Sequence, residues 1–189
     1  MRLWIPLLAI FLLSCSTTAP PRTEYFLRHP VSETDAAPLS QPRVGLQRVA
    51  LAPYLKQRGL AIETAANELR PAQSHVWAEP LDEGLLLFLR GALAAALQED
   101  VGITRSRSDA WDQRVEVYVE QLHGTMSGNA LLVASFKVTG SEESAVAIQF
   151  RFARSRALAA DGYASLVEAE KQLVGELAAA IAAAVTSLR

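Results

Sequence analysis

The chain has 189 residues, half of them hydrophobic, with 18 basic and 20 acidic side chains and a net charge of -2. That balance is too mild and too mixed for a nucleic-acid surface, and no basic stripe with interleaved aromatics occurs. A single cysteine excludes an internal disulfide, so stability has to come from packing.

The chain opens on a short positive start, Met1-Arg2, followed by an uncharged apolar run over residues 3–13 and then Ser14-Cys15. A charged start, about ten apolar residues and a small residue at a cut describe a secretory signal. The run is too short to span a bilayer, which takes roughly 20 apolar residues. A cysteine directly after the small residue fits a bacterial lipobox, in which cleavage precedes Cys15 and its thiol carries a diacylglyceryl group. The plainer alternative is a secreted protein whose cysteine stands there by chance. No cofactor is expected beyond the covalent lipid on Cys15. Two or more acyl chains hold a protein stably at a membrane. Ser16 is not the Asp that tends to retain such proteins at the inner membrane, so the outer membrane, facing the periplasm of a Gram-negative cell, is expected.

Residues 1–14 are therefore the signal, 15–23 a lipidated tether and 24–189 one domain. About 175 residues remain after the cut, enough for a single core. Extended, residues 16–23 span at most about 30 Å, which keeps the domain near the membrane.

Tyr25-Phe26-Leu27 is a short strand candidate, and residues 28–42, with three prolines, form a loop. Residues 44–52 predict a strand stopped by Pro53, and residues 61–64 a short partner strand after a turn at Gly59. Glu79-Pro80 opens a helix to about Gln98, with proline at the first helical position and Asp82 and Glu83 suited to the dipole. Leu81, Leu85, Leu89, Ala92, Leu93 and Ala96 make its apolar face. Leu87 falls on the polar side, as an isolated exposed leucine or as a protein contact.

Residues 114–122 alternate strictly, Val115, Val117 and Val119 against Glu116, Tyr118 and Glu120, which reads as a half-buried strand. A turn at 127–129, a strand over 130–138, a turn over 140–144 and a strand over 145–152 complete an antiparallel meander. Val146, Ile148, Phe150 and Phe152 share one face of the last strand, and Arg151, Arg154 and Arg156 cluster at its end. A final helix runs from about Gly162 to Leu188 with Asp161 as its cap. Glu170 falls on its apolar face. Reaching out to solvent is the expected arrangement, because unpaired buried carboxylates are costly; pairing with an arginine or lining a pocket are the alternatives. The order predicts an α+β fold, an antiparallel-rich mixed sheet with two main helices packed on one face and the other face open or met by a partner.

No catalytic arrangement emerges. His29, His75 and His123 share no metal-ligand spacing, and no nucleophile elbow, phosphate loop or dinucleotide fingerprint occurs. The Asp82-Glu83 and Glu142-Glu143 pairs fall where a helix start and a hairpin turn are expected. An enzyme with dispersed residues is the least favoured reading.

The run Val49-Ala50-Leu51-Ala52-Pro53-Tyr54-Leu55, the later Trp77-Ala78-Glu79-Pro80-Leu81 and the lipobox together resemble the ABC-type transport auxiliary lipoproteins of the paraquat-inducible protein C (PqiC) type. The similarity extends from Tyr25 to the last helix, and Trp-Ala-Glu-Pro-Leu is its specific part. Two departures are Tyr54 directly after Pro53 and Lys56-Gln57-Arg58 after Leu55, and residues 59–70 match only loosely. The resemblance implies a periplasm-facing lipoprotein working with an MCE (mammalian cell entry) and ABC-type lipid transporter, with an MCE-domain protein as partner. It carries no catalytic residues. Tyr54, Leu55 and Trp77 match recurrent family positions, which either build the strand end and an aromatic core plug or, with Leu87, contribute to a partner interface. A domain that itself holds an acyl chain is the alternative function, and self-association is open.

Overall fold

A computed structural model describes residues 21–30, 41–104, 111–140 and 146–189. The signal, Cys15, most of the tether and the 142–143 acidic pair lie outside the described residues. Nine strands and two long helices follow one another: β1 Thr23–Tyr25, β2 Val44–Leu46, β3 Ala50–Leu51, β4 Gly59–Ala65, β5 Glu68–Trp77, α1 Leu81–Leu97, β6 Val101–Ile103, β7 Gln113–Gly124, β8 Asn129–Gly140, β9 Ile148–Ala157 and α2 Tyr163–Ser187. The architecture is the expected α+β one. A short 3-10 turn, Pro53–Lys56, lies between β3 and β4.

Strand β7 organises the sheet. Along one edge it pairs antiparallel with β8, which pairs antiparallel with β9. Along its other edge three short segments follow one another, all parallel to it. Val44 to Leu46 align with Gln113 to Val115, Ala50-Leu51 with Tyr118-Val119, and Ile62 with Gly124. Beyond them β5 pairs antiparallel with β4, β1 parallel with β5, and β6 parallel with β2. The valine alternation puts Val115, Val117 and Val119 in the core. A bulge between Val119 and Gln121 then resets the alternation by one residue, so Leu122 and Gly124 return to the inner face, where Gly124 meets Leu166 of α2.

Both helices pack on that face, α2 across β7, β8 and β9, and α1 against α2 and β6. Their buried leucines, with Val174, Ile181 and Val185, form one continuous core with the sheet. The opposite face is polar and laced with ion pairs, Glu116 with Lys137 at 3.3 Å and Glu120 with Arg151 at 3.6 Å.

Several expectations need correction. The strand foreseen over 44–52 is two strands, because the chain leaves β7 after Gln47 N–H meets Val115 O at 2.9 Å and rejoins it at Ala50, with Ala52 N–H on Val119 O at 2.9 Å. The first strand ends at Tyr25, and Phe26 lies exposed beyond it. Strand β5 was not foreseen; its polar run and Pro71 hide a ten-residue strand. Strand β9 runs on to Ala157, so the arginines lie within it and not at its end. Pro80 is the N-cap of α1 and Leu81 its first residue. Asp161 does not cap α2: Gly162 is the N-cap with no side-chain cap bond, and Ala160 N–H instead meets Ser165 Oγ at 3.0 Å. The last strand begins at Ile148 and not at 145, so Val146 precedes it and is exposed, and Ile148 at its start is exposed as well. Most of the turn expected over 140–144 lies outside the described residues.

Candidate functional site

The segments singled out by sequence converge where β3, the 3-10 turn and the start of α1 meet the edge of β7. Proline at 53 starts the 3-10 turn and ends the pairing of β3. The turn places Tyr54 in the gap between β3 and β4, where β7 lacks a strand partner. Its hydroxyl accepts the Leu122 N–H at 3.3 Å and lies 3.1 Å from His123 Nδ1. Donating its own proton to Nδ1 satisfies both contacts and places the imidazole proton on Nε2. Tyr54 thus stands in for a missing strand residue. Burial raises its pKa, against a lowering contribution from the Leu122 hydrogen bond. Burial lowers the pKa of His123, with Glu63 opposing that shift.

The next residue, Leu55, is 3% exposed, and Trp77 is 4% exposed. Trp77 is held by its N–H to Arg58 O at 2.7 Å, and its neighbour Ala78 by its N–H to Tyr25 O at 2.7 Å. Neither Leu55 nor Trp77 offers side-chain area to a partner, because both are packed into the hydrophobic core; they serve as strand-end anchor and core plug. Tyr54 is half-buried. Leu87 alone of the four candidates is at the surface, 38% exposed on the outer side of α1, beside a shallow depression with Arg90, Ala94 and Asp100. Lipidation at Cys15 falls outside the described residues.

Glu79 of the Trp-Ala-Glu-Pro-Leu run forms a two-pronged ion pair with Arg28, the Nη2–Oε2 arm at 2.8 Å. That pair fastens residues 26–30 along α1, where Leu27 passes over Gly84 and His29 over Gly91 and Phe88. The sequence held the signal for this strap in two glycines seven residues apart on one helix face, which allow the backbone of one element close to the other.

Glu170 does not reach solvent. It is 1% exposed, its Oε2 has no hydrogen-bond partner among the described residues, and burial pushes its pKa up to about 8. The histidines stay apart, His29 on Phe88, His75 stacked between Tyr25 and Tyr163, and His123 on Tyr54. Among the described residues no group of His, Cys, Asp or Glu is placed to hold a metal ion, and no helix is long and apolar enough to cross a membrane.

A model of the family described as ABC-type transport auxiliary lipoprotein component matches residues 25–182. The chain belongs to this family. The match runs from β1 into the last turns of α2, so it takes in the strap, the Tyr54 plug and both helices. Two solved structures, the first two of those that follow, share the fold of this auxiliary lipoprotein. One, the crystal structure of an uncharacterized protein, superposes with a TM-score of 0.73 at 23% identity, covering 87% of this chain and 99% of its own. A Xanthomonas campestris protein of the DUF330 family superposes with a TM-score of 0.62 at 16% identity, covering 84% and 92%. A PelC dodecamer from Paraburkholderia phytofirmans gives 0.45 at 15% identity, covering 77% and 93%. Comparison with curated proteins returns no match.

Proposed function

We propose that this auxiliary transport lipoprotein is anchored through Cys15 in the outer membrane, faces the periplasm, and acts by docking the MCE-domain protein of an ABC-type system that moves lipids between the two membranes. The family match over residues 25–182 carries this reading. The Ser14-Cys15-Ser16 sequence supports the anchor and its membrane. The separation of His29, His75 and His123 into three unconnected aromatic contacts favours docking over chemistry. Leu87, exposed beside Arg90 on α1, is the contact residue of choice for the partner.

Cross-linking in intact cells followed by purification of the tagged full-length lipoprotein tests the docking role. Recovery of an MCE-domain protein is expected, and Leu87→Asp should reduce it. A tagged protein that supports envelope integrity yet recovers no such partner would overturn the proposal. Cys15→Ala tests the anchor: the variant should leave the outer-membrane fraction and lose function, and retention of both would remove the anchor from the mechanism.

A further inference from the structure

Strand β9 is the outermost strand beside β8, and α2 does not fully cover its inner face. Between them runs an apolar trough. Phe136 and Phe150 form its floor, their rings stacked at 4.9 Å between centroids and 13° between planes. Phe152 continues it, and Ala180, Ala183 and Ala184 of α2 form the wall. Small side chains on the helix make that wall low and smooth. Ile148, 41% exposed, extends the apolar strip toward the start of β9.

A cation adjoins the trough next to Phe152. Arg154 lies on the same side of β9 as Phe150 and Phe152, and its guanidinium sits 5.6 Å from the Phe152 ring centroid. Arg151 pairs with Glu120 and Arg156 with Glu176. Arg154 has no carboxylate partner among the described residues; its Nη1 donates to Ala153 O at 3.0 Å. At roughly 3.3 Å per residue the arginine stands about 13 Å along the strand from Phe150. The lining offers rings and methyl groups, with Ser187 and the Glu120-paired Arg151 at its margin, and the uncompensated charge of Arg154 adjoins it beyond Phe152. A protein strand would ask for backbone hydrogen bonds along the whole length, whereas an acyl chain with an acidic headgroup asks for this distribution.

We infer that the trough between β9 and α2 holds an acyl chain of an anionic phospholipid, with Arg154 on its phosphate. This rests on the proposed role in lipid transport for the choice of a phospholipid over another amphiphile, and it makes the auxiliary domain a lipid contact in its own right.

The test uses the full-length lipoprotein in phosphatidylglycerol vesicles with no transporter present, so it is independent of the docking experiment. A benzophenone side chain replaces Ala183 in the trough, and in a second variant Tyr118 on the opposite sheet face. After irradiation, mass spectrometry should find a phosphatidylglycerol adduct at position 183 and little at 118. Arg154→Gln should lower the yield at 183 about tenfold, the scale of one charge-assisted contact, and phosphatidylcholine should give a low yield irrespective of residue 154. An unchanged thermal melt of the Arg154→Gln variant shows that folding is not the cause. Equal lipid adducts at both positions, no lipid adduct at 183, or a cross-link between two chains at 183 would each overturn the inference, the last by assigning the trough to a second copy.

Discussion

Glu170 shows how a carboxyl survives inside an apolar helix face: it stays protonated. With its pKa raised to about 8 by burial, it carries no charge in the folded protein near neutral pH but ionises freely once unfolded. Unfolding therefore releases a proton between the unfolded value near 4.5 and about 8, and stability falls as pH rises through that window. His123 acts in the opposite sense: its lowered pKa means stability is lost as pH falls below its ordinary value of 6.5. Glu170→Gln should flatten the decline in melting temperature between pH 5 and pH 8, leaving the acid limb set by His123. A wild-type melting curve rising steadily over that range would contradict the assignment. The sequence had placed Glu170 on the apolar stripe of α2, but the expectation of solvent exposure priced it as an ion. The neutral form removes most of that cost, and no pattern in sequence reports protonation. Tyr54 is the second residue whose role is set by one atom. Tyr54→Phe leaves the Leu122 N–H and His123 Nδ1 without that partner, and urea unfolding should show a loss of about 1–3 kcal/mol.

Elements were legible in proportion to how strongly one side of each is buried. The alternating valines of β7 and the leucine face of α1 announce themselves, because water meets one side and the core the other. Strand β5 does not, since its exposed and half-buried residues leave no period to read and Pro71 argues against pairing. Strands β3 and β6 are too short for any pattern and exist because β7 and β2 present edges to them. Of the candidate site, the Tyr54 turn and the Trp77 plug were readable as motif; the trough was not, because it joins β9 to a helix face some thirty residues away. Strand β6 also carries a device visible only in three dimensions. Gly45 and Gly102 stand opposite one another in β2 and β6, and a Cβ on Gly102 would sit 2.0 Å from Trp111 Cη2. The pair forms a shelf for the indole. Gly102→Ala should displace Trp111, shift tryptophan emission and cost roughly 1–3 kcal/mol. Gly175 on α2 is the control: nothing lies within 4 Å of a Cβ there, so Gly175→Ala should stabilise by about 1 kcal/mol, read from the same denaturation curves.

At the scale of the whole molecule, one sheet face and two helices enclose a single core, while the other face is a field of paired charges. The strap of residues 26–30, locked by Arg28 and Glu79, ties the start of the domain across α1. A force applied ahead of the strap would thus reach the helix layer as well as an edge strand.

Strand β7, with its two unlike edges, also orders events in time. Its pairing with β8 closes over a short turn, whereas the three parallel segments on its other edge come from some sixty to seventy residues away in the chain. Local closure costs less chain entropy and precedes distant closure. The meander should therefore form first, with α2 laid across it, and the N-terminal half should arrive later to complete the sheet. Pulse-labelled hydrogen exchange during refolding should find the amides of β7 and β8 protected ahead of those in β2 and β4. Protection appearing first in β4 and β5 would reverse that order. On this account the N-terminal half of the domain is the last to acquire its structure.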